Sequence, residues 1–124
     1  MNTRLLFNVS AAIEILTGIT MLIVPALLVG LLLGEGLGPT GVAVTRILGV
    51  GLLSLGIAGW NSQEQGTALG PRTGLLVYNI GATALFVILG TIGAMNGLLL
   101  WPAAGLHQVI SLLMLGAMIR HHQE

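Results

Sequence analysis

The stretch NVSAAIEILTGITMLIVPALL, residues 8–28, is an apolar run long enough to cross a lipid bilayer, and it contains one carboxylate, Glu14. A helix rises about 1.5 Å per residue, so about 20 such residues span a hydrocarbon core of ~30 Å. The run is too long for a membrane β-strand and lacks the alternation of apolar and polar residues that such a strand shows. The stretch therefore predicts a transmembrane helix with an acid inside it.

The composition extends this prediction to the whole chain. Of the 124 residues, 55% are hydrophobic and 6% are charged, whereas a soluble domain carries about 25% charged residues. With so few charged residues, the surface of the protein cannot be kept hydrated, and we therefore expect most of it to face lipid. The formal net charge of zero leaves no basic patch for a nucleic acid, so that class of partner is excluded. The absence of cysteine excludes disulfides and thiolate metal sites.

The apolar segments predict the fold class: all-α, a single integral membrane domain over residues 1–124 with four transmembrane helices in a bundle. The predicted spans are residues 5–33, 41–60, 73–95 and 98–119. The predicted breaks are GEGLGPTG (34–41), NSQEQGTALGPR (61–72) and the turn Met95-Asn96-Gly97. Pro25 removes a helical hydrogen bond and is expected to kink the first span.

The arginines predict the orientation of this bundle. Arg4, Arg72 and Arg120 all fall on the side that carries both termini and the middle loop, and the two opposite loops contain no arginine. Basic residues are enriched on the cytoplasmic side of membrane proteins. We therefore expect a multi-pass protein of the inner (cytoplasmic) membrane with both termini in the cytoplasm.

A set of polar side chains lies inside the predicted spans, near the midplane of the membrane. These candidate binding residues are Glu14, Arg46, Tyr78, Asn79, His107 and Gln108. Counted along the helix, Glu14 lies roughly 15 Å beyond Arg4, and Arg46 roughly 22 Å beyond Asn61. A polar group at such depth is tolerated when it faces the interior of the bundle or a wet cavity. The depths predict that these side chains meet there.

Glu14 and Arg46 are the predicted pair within this set. Their depths differ by about 7 Å, a gap that a long guanidinium side chain crosses. Removing one member of such a pair would leave an uncompensated charge. Two alternatives stay open: the polar set fixes the register of the helices, or Glu14 titrates as the carboxyl group of a carrier.

Small residues predict where the helices approach one another closely. Gly41, Thr45 and Gly49 form a ladder with a spacing of four residues, and Ser54 and Ala58 extend the pattern of small residues on the same helix. Gly49 and Gly56 are one heptad apart and are predicted helix contacts. On the third predicted helix, the close-packing positions are Gly81, Gly90, Gly93 and Gly97. The fourth carries an analogous polar stripe of Ala104, His107, Gln108 and Ser111.

Motifs of catalysis and of cofactor binding are missing from the sequence. There is no glycine-rich nucleotide loop, no serine elbow and no pair of histidines four residues apart within a span. We therefore predict no catalytic residue, no metal ligand and no cofactor, and an enzyme is the less favoured class.

Two segments, EILTGITMLIVPALLVGLLLGEG and TRILGVGLLSLGIAGW, resemble the DoxX-like group of small four-helix bacterial membrane proteins. In that group, acid-containing helices and helices with an Arg-x-x-Gly pattern recur. The resemblance covers about half of the chain and implies the fold more than an activity. Some members are small subunits of quinone-linked membrane oxidoreductases.

The segment AAIEILTGITML gives the chain a further, architectural likeness to the small multidrug resistance transporters, which also have four spans and a glutamate in the first helix. In that family the glutamate binds protons and substrate within an antiparallel dimer. The present chain departs from the pattern, because Arg46 is placed to neutralise Glu14 and the arginines favour a single orientation.

These features favour a small integral membrane protein that acts through helix packing, as a homo-oligomer or as an accessory subunit of a membrane complex. The alternative is a proton-coupled carrier of small molecules, or a membrane protein that binds a small lipophilic ligand through Glu14. The expected partners are the lipid bilayer and either a second copy of the chain or other membrane subunits.

Overall fold

The computed structural model describes residues 2–65 and 69–121, without the side chains of residues 61–65 and 121. The described residues form five helices and no strand: α1 (Thr3–Ile23), α2 (Pro25–Leu33), α3 (Pro39–Gln65), α4 (Leu69–Thr91) and α5 (Leu100–His121). Four of these helices, α1, α3, α4 and α5, are long and apolar enough to cross a membrane. The all-α fold with four candidate spans is thus confirmed.

The first predicted span, residues 5–33, is divided into two helices at Val24. Pro25 has no backbone N–H to continue the hydrogen-bond ladder, and its fixed φ suits the first position of a new helix. Val24 leaves the helical conformation with φ −130° and ψ 57°, and α2 ends nine residues later at Gly34, whose φ is 79°. The predicted distortion at Pro25 is therefore confirmed, but residues 5–33 form two helices instead of one, and only α1 is long enough to span.

The polar stretch 61–72 is largely helical rather than a loop. Helix α3 continues to Gln65 and α4 starts at Leu69. Within this stretch, residues 66–68 lie outside the described part of the chain. Helix α4 also ends at Thr91, earlier than predicted. The connection to α5 therefore covers residues 92–99 and is longer than the predicted turn at Met95-Asn96-Gly97.

Glycines bring α1 and α3 into backbone contact. A Cβ atom added to Gly18 would lie 2.7 Å from the carbonyl oxygen of Gly49, and one added to Gly49 would lie 2.8 Å from that of Gly18. A Cβ atom on Gly56 would lie 2.7 Å from the carbonyl oxygen of Ala11. The predicted contacts at Gly49 and Gly56 are confirmed, and no larger residue fits without moving a helix.

The predicted extension of this contact along Ser54 and Ala58 is wrong, because both residues are exposed. The buried positions of α3 instead follow a spacing of four and three residues, at Thr45, Gly49, Leu52, Gly56 and Gly59. Ser54 and Ala58 point outward from the bundle. The glycines on the other helices differ among themselves: Gly90 abuts Trp101 and Leu100, whereas Gly81 and Gly93 have open space beside them.

A hydrophobic core fills one end of the bundle. The start of α1, the start of α4 and the end of α5 meet there, in a cluster of Leu6, Phe7, Ala11, Leu75, Ile110, Met114 and Ala117. The guanidinium of Arg72 lies 5.2 Å from the centroid of the Phe7 ring. The N-terminal end of α1 and the C-terminal end of α5 therefore lie at the same end of the bundle.

At the opposite end, α2 is attached to the connection between α4 and α5. The carbonyl oxygens of Leu31 and Leu33 accept hydrogen bonds from the backbone N–H groups of Leu99 (2.8 Å) and Asn96 (3.2 Å). Gly97 lies so close to α2 that a Cβ atom there would overlap the backbone of Leu32. These contacts satisfy carbonyl groups that the end of a helix leaves without partners, and they hold α2 in place.

Candidate functional site

Asn79 is the centre of a buried hydrogen-bond network that joins three helices. Its amide nitrogen donates to the hydroxyl oxygen of Ser10 on α1 (3.2 Å) and to the carbonyl oxygen of Leu75 (2.8 Å). Its amide oxygen lies 2.7 Å from Nδ1 of His107 on α5. The side chains of Ser10, Asn79 and His107 are all buried, so the network fixes α1, α4 and α5 relative to one another.

The same network assigns the tautomer of His107. An amide oxygen is only an acceptor, so Nδ1 of His107 must carry the hydrogen in this bond. In a neutral imidazole the other nitrogen, Nε2, then has the free lone pair. The hydrogen bond that His107 donates to Asn79 thus leaves Nε2 as an acceptor.

Two aromatic rings of α4 flank the His107 ring. The centroid of Tyr78 lies 5.7 Å away in an edge-on arrangement with an interplanar angle of 82°, and that of Phe86 lies 6.0 Å away at 31°. Edge-on contact is a favoured geometry for aromatic pairs. These rings hold the imidazole in place from two sides, beside the hydrogen bond to Asn79.

Glu14 lies one helical turn after Ser10 on the same face of α1 and is fully buried, with 0% of its surface exposed. Neither carboxyl oxygen has a hydrogen-bond partner among the described residues. A buried carboxyl group without a partner is costly, and buried groups of this kind merit a functional or structural explanation. Glu14 therefore carries unmet hydrogen-bonding capacity inside the bundle.

The predicted pair of Glu14 and Arg46 is wrong. Arg46 is exposed and its Nε donates to the carbonyl oxygen of Leu22, 3.2 Å away. Leu22 lies in the last turn of α1, where the helix break leaves carbonyl groups without helical partners. Arg46 therefore caps α1, and a cation is favourable at a helix C-terminus. One residue earlier on α3, Thr45 is buried, so the rotation of about 100° per residue turns Arg46 outward.

Gln108 also lies outside the cluster. It is exposed, while the buried residues of α5 include Ala104, His107 and Ser111. These three residues share a face at spacings of three and four, and Gln108 is turned away from that face. The structure thus brings Tyr78, Asn79 and His107 together with Glu14 nearby, and it separates Arg46 and Gln108 from them.

A cavity of about 620 Å³ lies next to this cluster. Of its fifteen lining residues, only Thr45 and Tyr78 have a polar side-chain group. The lining comes from four helices and one connection: Met21 of α1, Val29, Leu32 and Leu33 of α2, Leu37 between α2 and α3, residues of α3 from Gly41 to Leu48, and residues of α4 from Tyr78 to Leu89. Tyr78 and Phe86 line the cavity and also contact His107. The cavity and the polar cluster therefore share a wall.

Sequence reasoning missed Ser10 and the cavity. Ser10 is four residues before Glu14, so the helical period alone places both on one face, and this spacing was the available signal. The cavity had no such signal, because it depends on the division of the first span at Val24 and on the position of α2. The sequence matches no protein family model, and no curated protein and no solved structure is significantly similar to it.

Proposed function

We propose that this protein binds a small lipophilic molecule in the cavity between α2, α3 and α4, with the polar end of the molecule at Tyr78. One observation carries the proposal: an apolar cavity of about 620 Å³ reaches Tyr78, whose ring contacts that of the buried His107. Binding sites for small molecules are mostly apolar cavities of ~300–1,000 Å³ with a few polar groups that fix orientation.

The position of the cavity supports loading from the membrane rather than from water. Its lining contains no charged residue, and the helices that surround it are those with the length and composition of membrane spans, together with α2. Helices α3 and α4, which form two of its walls, contact each other far less than α1 and α3 do. A lipophile entering between α3 and α4 would stay in apolar surroundings along its path.

Filling the cavity tests this proposal. Gly81 lines the cavity, and a Cβ atom there would meet nothing within 4 Å, so Gly81→Leu adds side-chain volume at the cavity wall from a position where the first added atom meets no neighbour. Gly105→Leu is the matched control, because Gly105 is exposed on α5 and also has open space beside it. The purified proteins are extracted with organic solvent, and the extracts are compared by mass spectrometry for co-purified lipophiles.

We expect a lipophile in stoichiometric amount in the extracts of the wild type and of Gly105→Leu, and its loss from Gly81→Leu. Equal amounts in all three extracts would show that the molecule binds elsewhere. Circular dichroism melting of each variant establishes that the bundle is folded.

A second candidate function is assembly with another membrane helix, as a homo-oligomer or as an accessory subunit. It is favoured by the outer face of α3, where Gly51, Ser54 and Ala58 are exposed at spacings of three and four and a Cβ atom on Gly51 meets nothing. Small residues allow helices to approach closely in a membrane. Detergent-corrected mass measurement of the wild type and of Gly51→Leu tests it, and an unchanged monomeric mass in both would rule out self-association through this face.

We further propose that the protein resides in the inner membrane with both termini in the cytoplasm. Arg4, Arg72 and Arg120 support this orientation, since all three belong to the end of the bundle where α1 starts, α4 starts and α5 ends.

A further inference from the structure

We infer that the cavity binds an uncharged lipophile at two points, with one oxygen atom at the hydroxyl group of Tyr78 on α4 and a second at that of Thr45 on α3. The inference rests on the proposed function, because it requires that the cavity be a binding site. It adds Thr45 as a second polar contact and defines the chemical class of the ligand.

The hydroxyl groups of Thr45 and Tyr78, which both line the cavity, have no hydrogen-bond partner among the described residues. The fully enclosed polar atoms without a partner belong to other residues, so both hydroxyl oxygens remain accessible from the cavity. Many hydroxyl groups on these helices donate instead to the carbonyl oxygen one turn earlier, as do those of Thr20, Ser54, Thr73, Thr83, Thr91 and Ser111.

The rest of the lining offers these two hydroxyl groups nothing to bond. The other lining residues, such as Leu48, Leu85 and Phe86, have apolar side chains, and Thr45 is more than nine-tenths buried, with 8% of its surface exposed. A polar group without a hydrogen bond in apolar surroundings is costly. A ligand that brings oxygen atoms to Thr45 and Tyr78 would remove this cost.

Thr45 and Tyr78 lie at different depths on facing helices. Helices α3 and α4 run in opposite directions, since only residues 66–68 separate them, and a Cβ atom on Gly74 would lie 3.2 Å from Cδ1 of Leu55. Counted from this contact, Thr45 lies roughly 15 Å along α3 and Tyr78 roughly 6 Å along α4, so their Cα atoms differ in depth by about 9 Å. Two oxygen atoms joined by an apolar segment match this arrangement.

The lining also excludes a charged headgroup. The residues around the cavity include no acid and no base. Arg46, the neighbour of Thr45, is exposed and donates to the carbonyl oxygen of Leu22. A charge without a partner is far more costly in an apolar medium than an uncharged polar group. The two oxygen atoms therefore belong to uncharged groups, such as hydroxyl, carbonyl or ester groups.

Displacement of tritiated decanol from the purified full-length protein in lipid nanodiscs tests this inference. The competitors are decanol, 1,10-decanediol and decanoate, which share one chain length and differ in their ends. Their concentrations in the lipid are measured with nanodiscs that contain no protein. For the wild type, we expect decanoate to require a concentration about tenfold or more above that of decanol, because the lining supplies no cation for its charge.

Two variants remove one hydroxyl group each, and the quantity compared is the half-displacing concentration of decanol divided by that of the diol. Tyr78→Phe keeps the ring beside His107, and Thr45→Val replaces the hydroxyl group with a methyl group. We expect this ratio to fall about fivefold in each variant, the effect of roughly one net hydrogen bond, because the second oxygen of the diol loses its partner. Thr45→Ser keeps the hydroxyl group and should retain the wild-type ratio.

Thr73→Val is the matched control for the loss of a hydroxyl group. Thr73 is exposed on α4, donates to the carbonyl oxygen of Leu69 and lies outside the lining of the cavity. The ratio in Thr73→Val should equal that of the wild type. Circular dichroism melting establishes that each variant is folded.

The outcomes separate the inference from the proposed function. The same ratio in all variants, or a fall in only one of Tyr78→Phe and Thr45→Val, would overturn binding at two points. Equal displacement by decanoate and decanol would overturn the selection against charge. In each of these cases, loss of decanol binding in Gly81→Leu would keep the cavity as a binding site. Absence of saturable decanol binding to the wild type would overturn the inference, and it would contradict the proposed function only if no lipophile co-purified with the protein.

Discussion

The amide oxygen of Asn79 accepts a hydrogen bond from Nδ1 of His107 over 2.7 Å, and this bond joins α4 to α5 in the interior of the bundle. Because the amide nitrogen of Asn79 donates at the same time to Ser10, one side chain connects three helices.

Replacing Asn79 with alanine is expected to destabilise the protein by about 0.5–2 kcal/mol, the range for hydrogen bonds between membrane helices. The variant leaves Ser10 without its donor and the Nδ1 hydrogen of His107 without its acceptor. In ¹⁵N NMR spectra of the imidazole, the wild type should show the Nδ1–H tautomer, and Asn79→Ala should show a mixture of tautomers. Gln108→Ala, which removes an exposed amide from the residue after His107, should change neither. An unaltered tautomer in Asn79→Ala would contradict the assignment.

The contact between α1 and α3 predicts different effects for two glycines on the same helix. Gly49→Leu places a side chain against the carbonyl oxygen of Gly18, whereas Gly51→Leu points into open space. Overpacking typically costs about 1–3 kcal/mol, so Gly49→Leu should lower the stability by at least that amount and Gly51→Leu should leave it nearly unchanged. Unfolding in mixed detergent, followed by circular dichroism, measures both. Equal free energies of unfolding for the two variants would mean that α1 and α3 can move apart at Gly49 without loss of stability.

The corrected position of Arg46 predicts that Glu14 and Arg46 act independently. Arg46→Gln removes the cap on the Leu22 carbonyl oxygen and should destabilise α1 modestly. Glu14→Gln keeps the shape of a side chain that has no partner and should be neutral or stabilising. In a double-mutant cycle the two effects should add within about 0.5 kcal/mol, as they do for residues that do not interact. A coupling energy well above that value would restore the ion pair.

The orientation is testable with matched cysteine variants, since the chain contains no cysteine. Gly36 and Gly70 are both exposed with open space for a side chain, and they lie at opposite ends of the bundle. A membrane-impermeant maleimide added to intact cells should label Gly36→Cys and should leave Gly70→Cys unlabelled until the cells are lysed. The reverse pattern would place both termini outside.

The long apolar segments made the spanning helices predictable, since length and composition alone separate a membrane helix from other elements. The break at Pro25 was also predictable, because proline has no N–H to donate. Pro25 did not reveal that α2 would be a separate helix. The separate α2 depends on residues that come much later in the chain. The N–H groups of Asn96 and Leu99 donate to its carbonyl oxygens, and Gly97 packs against its backbone.

The candidate site was predictable in part. Counting along the helices placed Asn79 and His107 in the group of polar residues around the membrane midplane, and the two are hydrogen-bonded. Depth does not determine the direction in which a side chain points, and a single residue turns it by about 100°. Arg46 follows the buried Thr45 and Gln108 follows the buried His107. The rotation of each helix about its own axis depends on contacts such as that of Gly18 with Gly49, which no pattern within one helix specifies.

The attachment of α2 to residues 96–99 also sets an order of assembly during synthesis. Synthesis proceeds from the N-terminus at about 5–20 residues per second. Helix α2 is therefore made several seconds before Asn96 and Leu99, whose backbone N–H groups donate to its carbonyl oxygens. Until then, those carbonyl groups need water or another partner, because lipid offers none. The α2 wall of the cavity is therefore completed only when residues 96–99 have been made and have paired with α2, and a ligand cannot be enclosed before then.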